Sequence, residues 1–585
     1  MSNALQRDLA RLVADAETRA AARGHGRFGQ RFHVMPPVGW LNDPNGLCQV
    51  DGVFHAYFQY APFDVAGGVK MWGHVTSTDL LRWTYDRCVL LPDSPADVHG
   101  VYSGSALVCD DGRVTMFYTG NVKLERAGEN CDYVTTGREG NTLSVETADG
   151  SAFAAKRLLM TNADYPADLT CHVRDPKVWR ADAACGRYLM VQGARRRGAC
   201  AGEPSPSRFS ALHGAGAAMD TGEVLLFASD DLVRWRLVNR LRTPERFGFM
   251  WECPDYFELS QTDAAAGTGA GAAAGEEPGA AAGVAEDGCA SLKVLSVSPQ
   301  GLEGGRWERG NIYQSGYFPV AGDITGACEL GEFSLWDAGF DFYAPQTFEA
   351  ADGRRILIGW MGMPDDDSYG NDPTVADGWQ HCLTLPRELV AAAGGCVLQR
   401  PVRELKELRG ACQAGTGVLE AADLAAFDIE VTGVQQGFRA VLFDELELAW
   451  LPAGDAGGAP ASVCAGAAGC APVADAVGAV GAFGPVAAAA DDPAGSGGAD
   501  EAMPAMPARF QMRFLNTART ACGCGRTVRW EPIDEVRDVR IVVDMSSVEV
   551  FVNGGSLVLS TRAYPRVRCA SVDAPGASIS LWPLG

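Results

Sequence analysis

The sequence predicts an all-β protein, a β-propeller followed by a β-sandwich, on three observations. Alternating apolar runs flank tight-turn dipeptides, the pattern of β-hairpins. Between residues 30 and 380 those turns recur at roughly 60–75 residues, the size of a four-stranded blade with long loops. Glycine contributes 70 of 585 residues, above the usual share of about 7%, which fits a turn-rich chain or low-complexity segments within one.

The elements follow in chain order. Residues 1–29 are read as a helical extension, because Leu5, Leu9, Leu12 and Val13 have amphipathic spacing. Charges recur there every few residues, so no apolar signal-peptide core is present and a cytoplasmic chain is expected. Asp51-Gly52 then leads into VFHAYFQY, and Asp111-Gly112 separates SALVCD from RVTMFYTG. Cys185-Gly186 joins VWRADAA to RYLMVQG, and Asp352-Gly353 joins QTFEAA to RRILIGW. These turns place a propeller in residues 30–395. From about 405 the strands continue without that rhythm, as in VEVFV and GSLVLSTR around Asn553-Gly554, which suits a sandwich over 405–585. Two segments, 262–288 and 453–508, are built of Ala, Gly, Pro and acids with no Lys or Arg. They cannot bury enough apolar surface to offset ordering and are expected to be disordered surface insertions.

Composition removes several function classes. A formal net charge of −24 argues against nucleic acid and against an anionic membrane surface. Cys470 to Ala490 is too rich in Ala and Gly, and too broken by Asp475 and prolines, to span a bilayer. The 18 cysteines are scattered without a CxxC pair, as expected of free thiols in a reducing compartment. No ligand set with metal spacing is visible, and the acidic run Asp365 to Asp367 is read as a solvated loop. No metal and no cofactor are expected.

Three acids stand in unusual company: Asp43 in GWLNDPNG, Asp175 in RDPKV and Glu252 in WECPD. Each lies near a proline, which disfavours mid-sheet pairing, and each precedes a strand-like run that ends 8 to 10 residues later. Singly, such strings are ordinary turns. Jointly, they put three carboxylates at the same end of three similar strands, and the first strands of propeller blades surround the axis. The acids should therefore converge on one pocket, rimmed by Trp40, Trp72 and Trp251. Carboxylates plus aromatics suit a sugar: rings stack on its apolar faces, and acids bind hydroxyls and carry out glycosyl transfer. The insertion 262–288 follows the strand that starts at Glu252, so it should hang roughly 30 Å from the acids and be catalytically silent. His74 is read as a structural histidine positioning Trp72, Cys253 as packing beside the acid, and Met361 and Met363 as core or pocket wall.

Further strings run in a fixed order: WLNDPNG (40–46), FQY (58–60), WGHVTSTDLLRW (72–83), YSGS (102–105), FYTGN (117–121), RDPKV (174–178) and WECPD (251–255). DAGFDFYAPQTF (337–348), GWMG (359–362), TLPREL (384–389) and SSVEVFVNGGSLVLSTRAYP (546–565) follow. In these the chain resembles glycoside hydrolase family 32, the β-fructofuranosidases, which include invertases, sucrose-6-phosphate hydrolases, levanases and inulinases. The resemblance implies a five-bladed propeller followed by a β-sandwich. It implies Asp43 as nucleophile, Glu252 as general acid/base and Asp175 as the acid that holds fructose hydroxyls in the transition state. It also implies that Asn42, Gln59, Trp72, Tyr102, Ser103 and Arg174 line the fructose subsite; Tyr102 stands where the family has Phe. The implied retaining chemistry places the two carboxyls about 5–5.5 Å apart, with Glu252 protonated at first. Asp175 is expected to stay ionised beside Arg174. The absence of a secretion signal favours a small imported substrate, first sucrose 6-phosphate, then sucrose. The alternatives are a fructo-oligosaccharide hydrolase, a fructosyltransferase or a non-catalytic carbohydrate-binding protein. A monomer or homodimer is expected, with the sandwich packed on the propeller.

Overall fold

The turn dipeptides close antiparallel strand pairs. Asp51 (φ 47°) and Gly52 (φ 82°) take the left-handed conformation that a two-residue hairpin loop requires, joining Gly39–Val50 to Val53–Ala61. The computed structural model describes residues 3–124, 132–198, 209, 213, 218–260, 291–454 and 506–585.

Among the described residues, five sheets follow one another from Gly39 to Pro401, each entered through its first strand. Those first strands are Gly39–Val50, Val101–Val108, Leu169–Ala183, Met250–Ser260 and Tyr343–Glu349. They contact one another in a closed ring, first to second and onward, with the fifth returning to the first. This is a five-bladed propeller with the first strands around its axis. The chain closes on itself after the fifth blade, where Trp379–Gln380 pairs with Gly39–Trp40.

All five inner strands carry the same irregularity. Leu41 to Pro44, Val101 to Gly104, Arg174 to Lys177, Glu252 to Asp255 and Tyr343 to Gln346 each advance three residues while the neighbouring strand advances two. Each is a β-bulge, which interrupts the ladder and re-aims side chains. In four blades a proline occupies the bulge or ends it (Pro44, Pro176, Pro254 and Pro345), where its missing N–H costs no ladder bond. Asp175 (φ 64°), Cys253 (φ 47°) and Ala344 (φ 48°) hold left-handed backbone there, a cost of roughly 1–2 kcal/mol for each L-residue.

The N-terminal helix spans Ala4–Ala21, capped by the Asn3 side chain on the Gln6 N–H at 2.8 Å. Half of the expected apolar face docks, since Val13 is buried and Leu9 packs against the core. Val13, Ala16 and Ala20 are buried, whereas Leu5 and Leu12 are 47% and 48% exposed. Small residues let the helix lie close against the outer strand of the first blade, where the Tyr85 hydroxyl donates to Glu17 at 2.5 Å.

The C-terminal strands form two sheets joined by the long last strand, Cys569–Leu584. Residues 570–573 pair with Phe438–Leu442, and residues 578–584 pair with Ala426–Thr432. The switch falls at Pro575 and Gly576 (φ 79°), and makes the two sheets of a sandwich. Buried charges join sandwich to propeller. Arg387 donates to Glu549 (2.6 Å), Asp337 (3.0 Å) and Gln399 (3.0 Å). His33 lies between Asp544 (2.9 Å) and Glu549 (3.0 Å).

The segment 262–288 and nearly all of 453–508 lie outside the described residues. The attachment of the first is described: Ser260 pairs with Ser291 at the end of the strand remote from Glu252.

Candidate active site

The five bulges frame a cavity of about 520 Å³ at the end of the axis where the inner strands begin. They also set which side chains meet. Asp43, Asp175 and Glu252 occupy the third, second and first positions of their bulges, so the three acids are staggered by one residue each. Arg174, Glu252 and Tyr343 share the first position in three successive blades and form a hydrogen-bonded row.

Asp43 is held from its own blade and the next. Oδ1 accepts from Asn42 Nδ2 at 2.9 Å, and Oδ2 accepts from the Ser103 hydroxyl and from Gln59 Nε2 at 3.2 Å. Gln59 also bonds Ser103, and Trp40 Nε1 orients Asn42 at 2.9 Å. Burial raises the Asp43 pKa, and the charge of Glu252 adds to the rise against the bonds from Ser103 and Asn42.

Glu252 accepts four hydrogen bonds. Arg174 gives Oε1 two, from Nε at 3.0 Å and Nη2 at 2.6 Å. Gln300 and Tyr343 bond Oε2 at 2.8 and 2.7 Å.

Asp175 differs from expectation. Arg174 stands 4.0 Å from it and spends its guanidinium on Glu252. Burial pushes the Asp175 carboxyl up to about 7, with Glu252 and Asp43 adding to the rise, although Arg174 and the Cys253 N–H (2.9 Å) oppose it. Cys253 lies between two of the acids, its Sγ 3.7 Å from Asp43 and 3.6 Å from Asp175. Burial and the three carboxylates push that thiol well above its ordinary pKa.

The cavity brings together Asn42, Asp43, Gln59, Tyr102, Ser103, Arg174, Asp175 and Glu252. Trp72 does not line it. It is fully buried two strands out from the axis, and its Nε1 supports the Tyr102 carbonyl at 3.1 Å. Of the three tryptophans expected at the rim, Trp40 alone lines the cavity. Trp251 precedes Glu252 on one strand, and alternation turns it into the apolar core between blades. His74 lies off the cavity, bonded to His55 at 3.0 Å and stacked on Tyr57, while Met361 and Met363 are buried without lining it.

Several lining residues were missed. Tyr343 was legible in principle, since Tyr-Ala-Pro repeats the pattern of Glu-Cys-Pro. Lys70, Arg138, His172, Arg195, His213 and Gln300 carry no such signal. Asp365 is exposed in a loop, as expected, and that loop forms part of the cavity wall, where Asp365 accepts from Tyr313 at 2.9 Å. No cluster of metal-holding side chains occurs among the described residues.

Carboxylates converging at the axis of a five-bladed propeller, with a sugar-sized cleft between them, define a glycoside hydrolase. The chain matches the glycosyl hydrolases family 32 N-terminal domain over residues 33–202 and 204–401, and the family 32 C-terminal domain over 510–580. It belongs to glycoside hydrolase family 32. Curated relatives include a sucrose-6-phosphate hydrolase of Klebsiella pneumoniae, 32% identical over 92% of this chain and 88% of that protein. A raffinose invertase of Escherichia coli is 32% identical over 95% and 93%. A sucrose-6-phosphate hydrolase of Bacillus subtilis is 38% identical over 65% of this chain and 66% of that protein. Among solved structures, the sucrose-6-phosphate hydrolase from Lactobacillus gasseri shares the fold with a TM-score of 0.70 at 22% identity, covering 98% of this chain and 96% of that one.

Proposed function

We propose that the chain is a retaining β-fructofuranosidase that hydrolyses the fructosyl bond of sucrose 6-phosphate and of sucrose. The observation that carries the reading is the convergence of Asp43, Asp175 and Glu252 on one cavity, with Cys253 in contact with both aspartates. The names of the curated relatives support the substrate.

Asp43 attacks the fructosyl anomeric carbon as its bond to the glucosyl oxygen breaks, and Glu252 gives that oxygen its proton. A covalent fructosyl-enzyme results. Water, losing a proton to Glu252, then attacks the same carbon, and Asp43 leaves as carboxylate with configuration retained. Asp175 holds fructose hydroxyls. Asn42, Gln59 and Ser103 fix the Asp43 rotamer, and a nucleophile held in place loses less freedom on the way to the transition state. Arg174, Gln300 and Tyr343 do the same for Glu252.

Sugar phosphates do not cross bilayers, so a cytoplasmic location goes with this substrate; no helix among the described residues is long and apolar enough to span a membrane. The test is release of fructose from sucrose 6-phosphate and sucrose by the purified chain and by Asp43→Asn. Hydrolysis by the first and its loss in the second are expected. Undiminished hydrolysis by Asp43→Asn contradicts the assignment.

A further inference from the structure

The cations of the cavity are unevenly matched. Arg174 is paired with Glu252, and Arg195 with Asp220 at 2.7 Å. Arg138, the first residue of the third strand of the second blade, has no ion pair among the described residues, and its Nε is buried there without a hydrogen-bond partner. Its ionisable neighbours are Tyr102, Arg174, Cys171 and Glu252. His172 lies in the same wall, taking a bond from Arg174 Nη1 at 2.5 Å. The charged groups around His172 are Arg174, Arg138, Arg195 and His213, and these cations add to burial in driving its pKa well down. Three arginines, Arg138, Arg174 and Arg195, thus meet at one wall of the cavity, and of these Arg138 alone has no ion pair among the described residues.

The wall has a definite place in the reaction. Lys70, the other cavity cation without an ion pair among the described residues, lies over Trp40 and near Asp43. Arg138 lines the cavity with Tyr102, Arg174 and, further off, Glu252 as its ionisable neighbours there, and Asp43 is not among them. Glu252 protonates the leaving oxygen, so whatever extends past it belongs to the leaving sugar. The Nε of Arg138 is buried without a partner while the half-buried side chain lines the cavity, and a planar fork of donors suits a phosphate dianion.

We propose that Arg138 is the specificity-determining residue of a phosphate subsite for the 6-phosphate of the leaving glucosyl unit. The inference rests on the β-fructofuranosidase reading and deepens it. With unphosphorylated sucrose, Arg138 gains no anionic partner, so sucrose is the poorer substrate.

The experiment measures kcat/KM for sucrose 6-phosphate and sucrose in the full chain, Arg138→Gln and Arg138→Lys, and inhibition of sucrose hydrolysis by glucose 6-phosphate and fructose 6-phosphate. The unaltered chain should prefer sucrose 6-phosphate at least tenfold. Arg138→Gln should lose about 30- to 100-fold on sucrose 6-phosphate, the size of a lost charge-assisted hydrogen bond, and no more than about threefold on sucrose. Arg138→Lys, which keeps the charge without the fork, should fall between. Glucose 6-phosphate should inhibit the unaltered chain more strongly than fructose 6-phosphate does, and only the former should weaken in Arg138→Gln. Equal losses on both substrates in both variants overturn the subsite, as does a chain that cleaves both sugars equally well; either result leaves the hydrolase reading standing. A chain that releases fructose from neither sugar overturns both.

Discussion

Arg174 is bound to Glu252, not to its chain neighbour Asp175: Nε and Nη2 reach Glu252 Oε1 at 3.0 and 2.6 Å, against 4.0 Å from Nε to Asp175 Oδ2. The pairing follows from the bulges. Arg174 and Glu252 share the first bulge position in adjacent blades, whereas Asp175 takes the second. Arg174 thereby fixes the carboxyl assigned to proton transfer and links it to the cationic wall.

Arg174→Lys should lower kcat/KM for sucrose by about 100-fold. A lysine offers one ammonium in place of the fork, and losing charge-assisted hydrogen bonds of about 1.5–3 kcal/mol each misplaces Glu252. Steady-state kinetics check this. A loss below threefold would show that Glu252 does not depend on the guanidinium.

The joint between propeller and sandwich should weaken in alkali through His33. Burial acts to lower its pKa, but the hydrogen bonds and charges of Asp544 and Glu549 outweigh that and raise it from 6.5 to about 9. A raised histidine stabilises the fold fully below pH 6.5, and the contribution is lost as pH rises through 9. Its size is on the order of 3 kcal/mol. Thermal melts of the unaltered chain and His33→Gln should differ most at pH 6 and converge between pH 6.5 and 9.5. A constant difference across that range refutes the proposed coupling.

Replacing residues 262–288 by a short turn should change kcat by less than twofold. Ser260 and Ser291, which flank the segment, close their hairpin eight residues along the strand from Glu252, roughly 26 Å away. Kinetics of the deleted chain decide it, and a tenfold loss would place the segment near the chemistry.

The propeller was legible because its turns are local. Asp51-Gly52 and Asp352-Gly353 announce hairpins whatever surrounds them. The acids were legible because proline marks the bulge that aims them, and the same mark at Tyr343-Ala344-Pro345 went unused. Contacts between blades were not legible. Arg174 and Glu252 are 78 residues apart, and His33 reaches Asp544 across 511. Sequence neighbours suggested Arg174 for Asp175, and tryptophans beside motifs suggested a rim. Strand alternation sends Trp251 away from Glu252, and Trp72 sits two strands outward.

The most direct measurement compares Glu252→Gln with the unaltered chain on sucrose and on an aryl β-fructofuranoside. A phenolate with a low pKa leaves without a proton, whereas the glucosyl oxygen needs one. With Glu252 as the acid, the variant should lose at least 1000-fold on sucrose and far less in the fructosylation step on the aryl fructoside. Equal losses on both substrates would contradict that role.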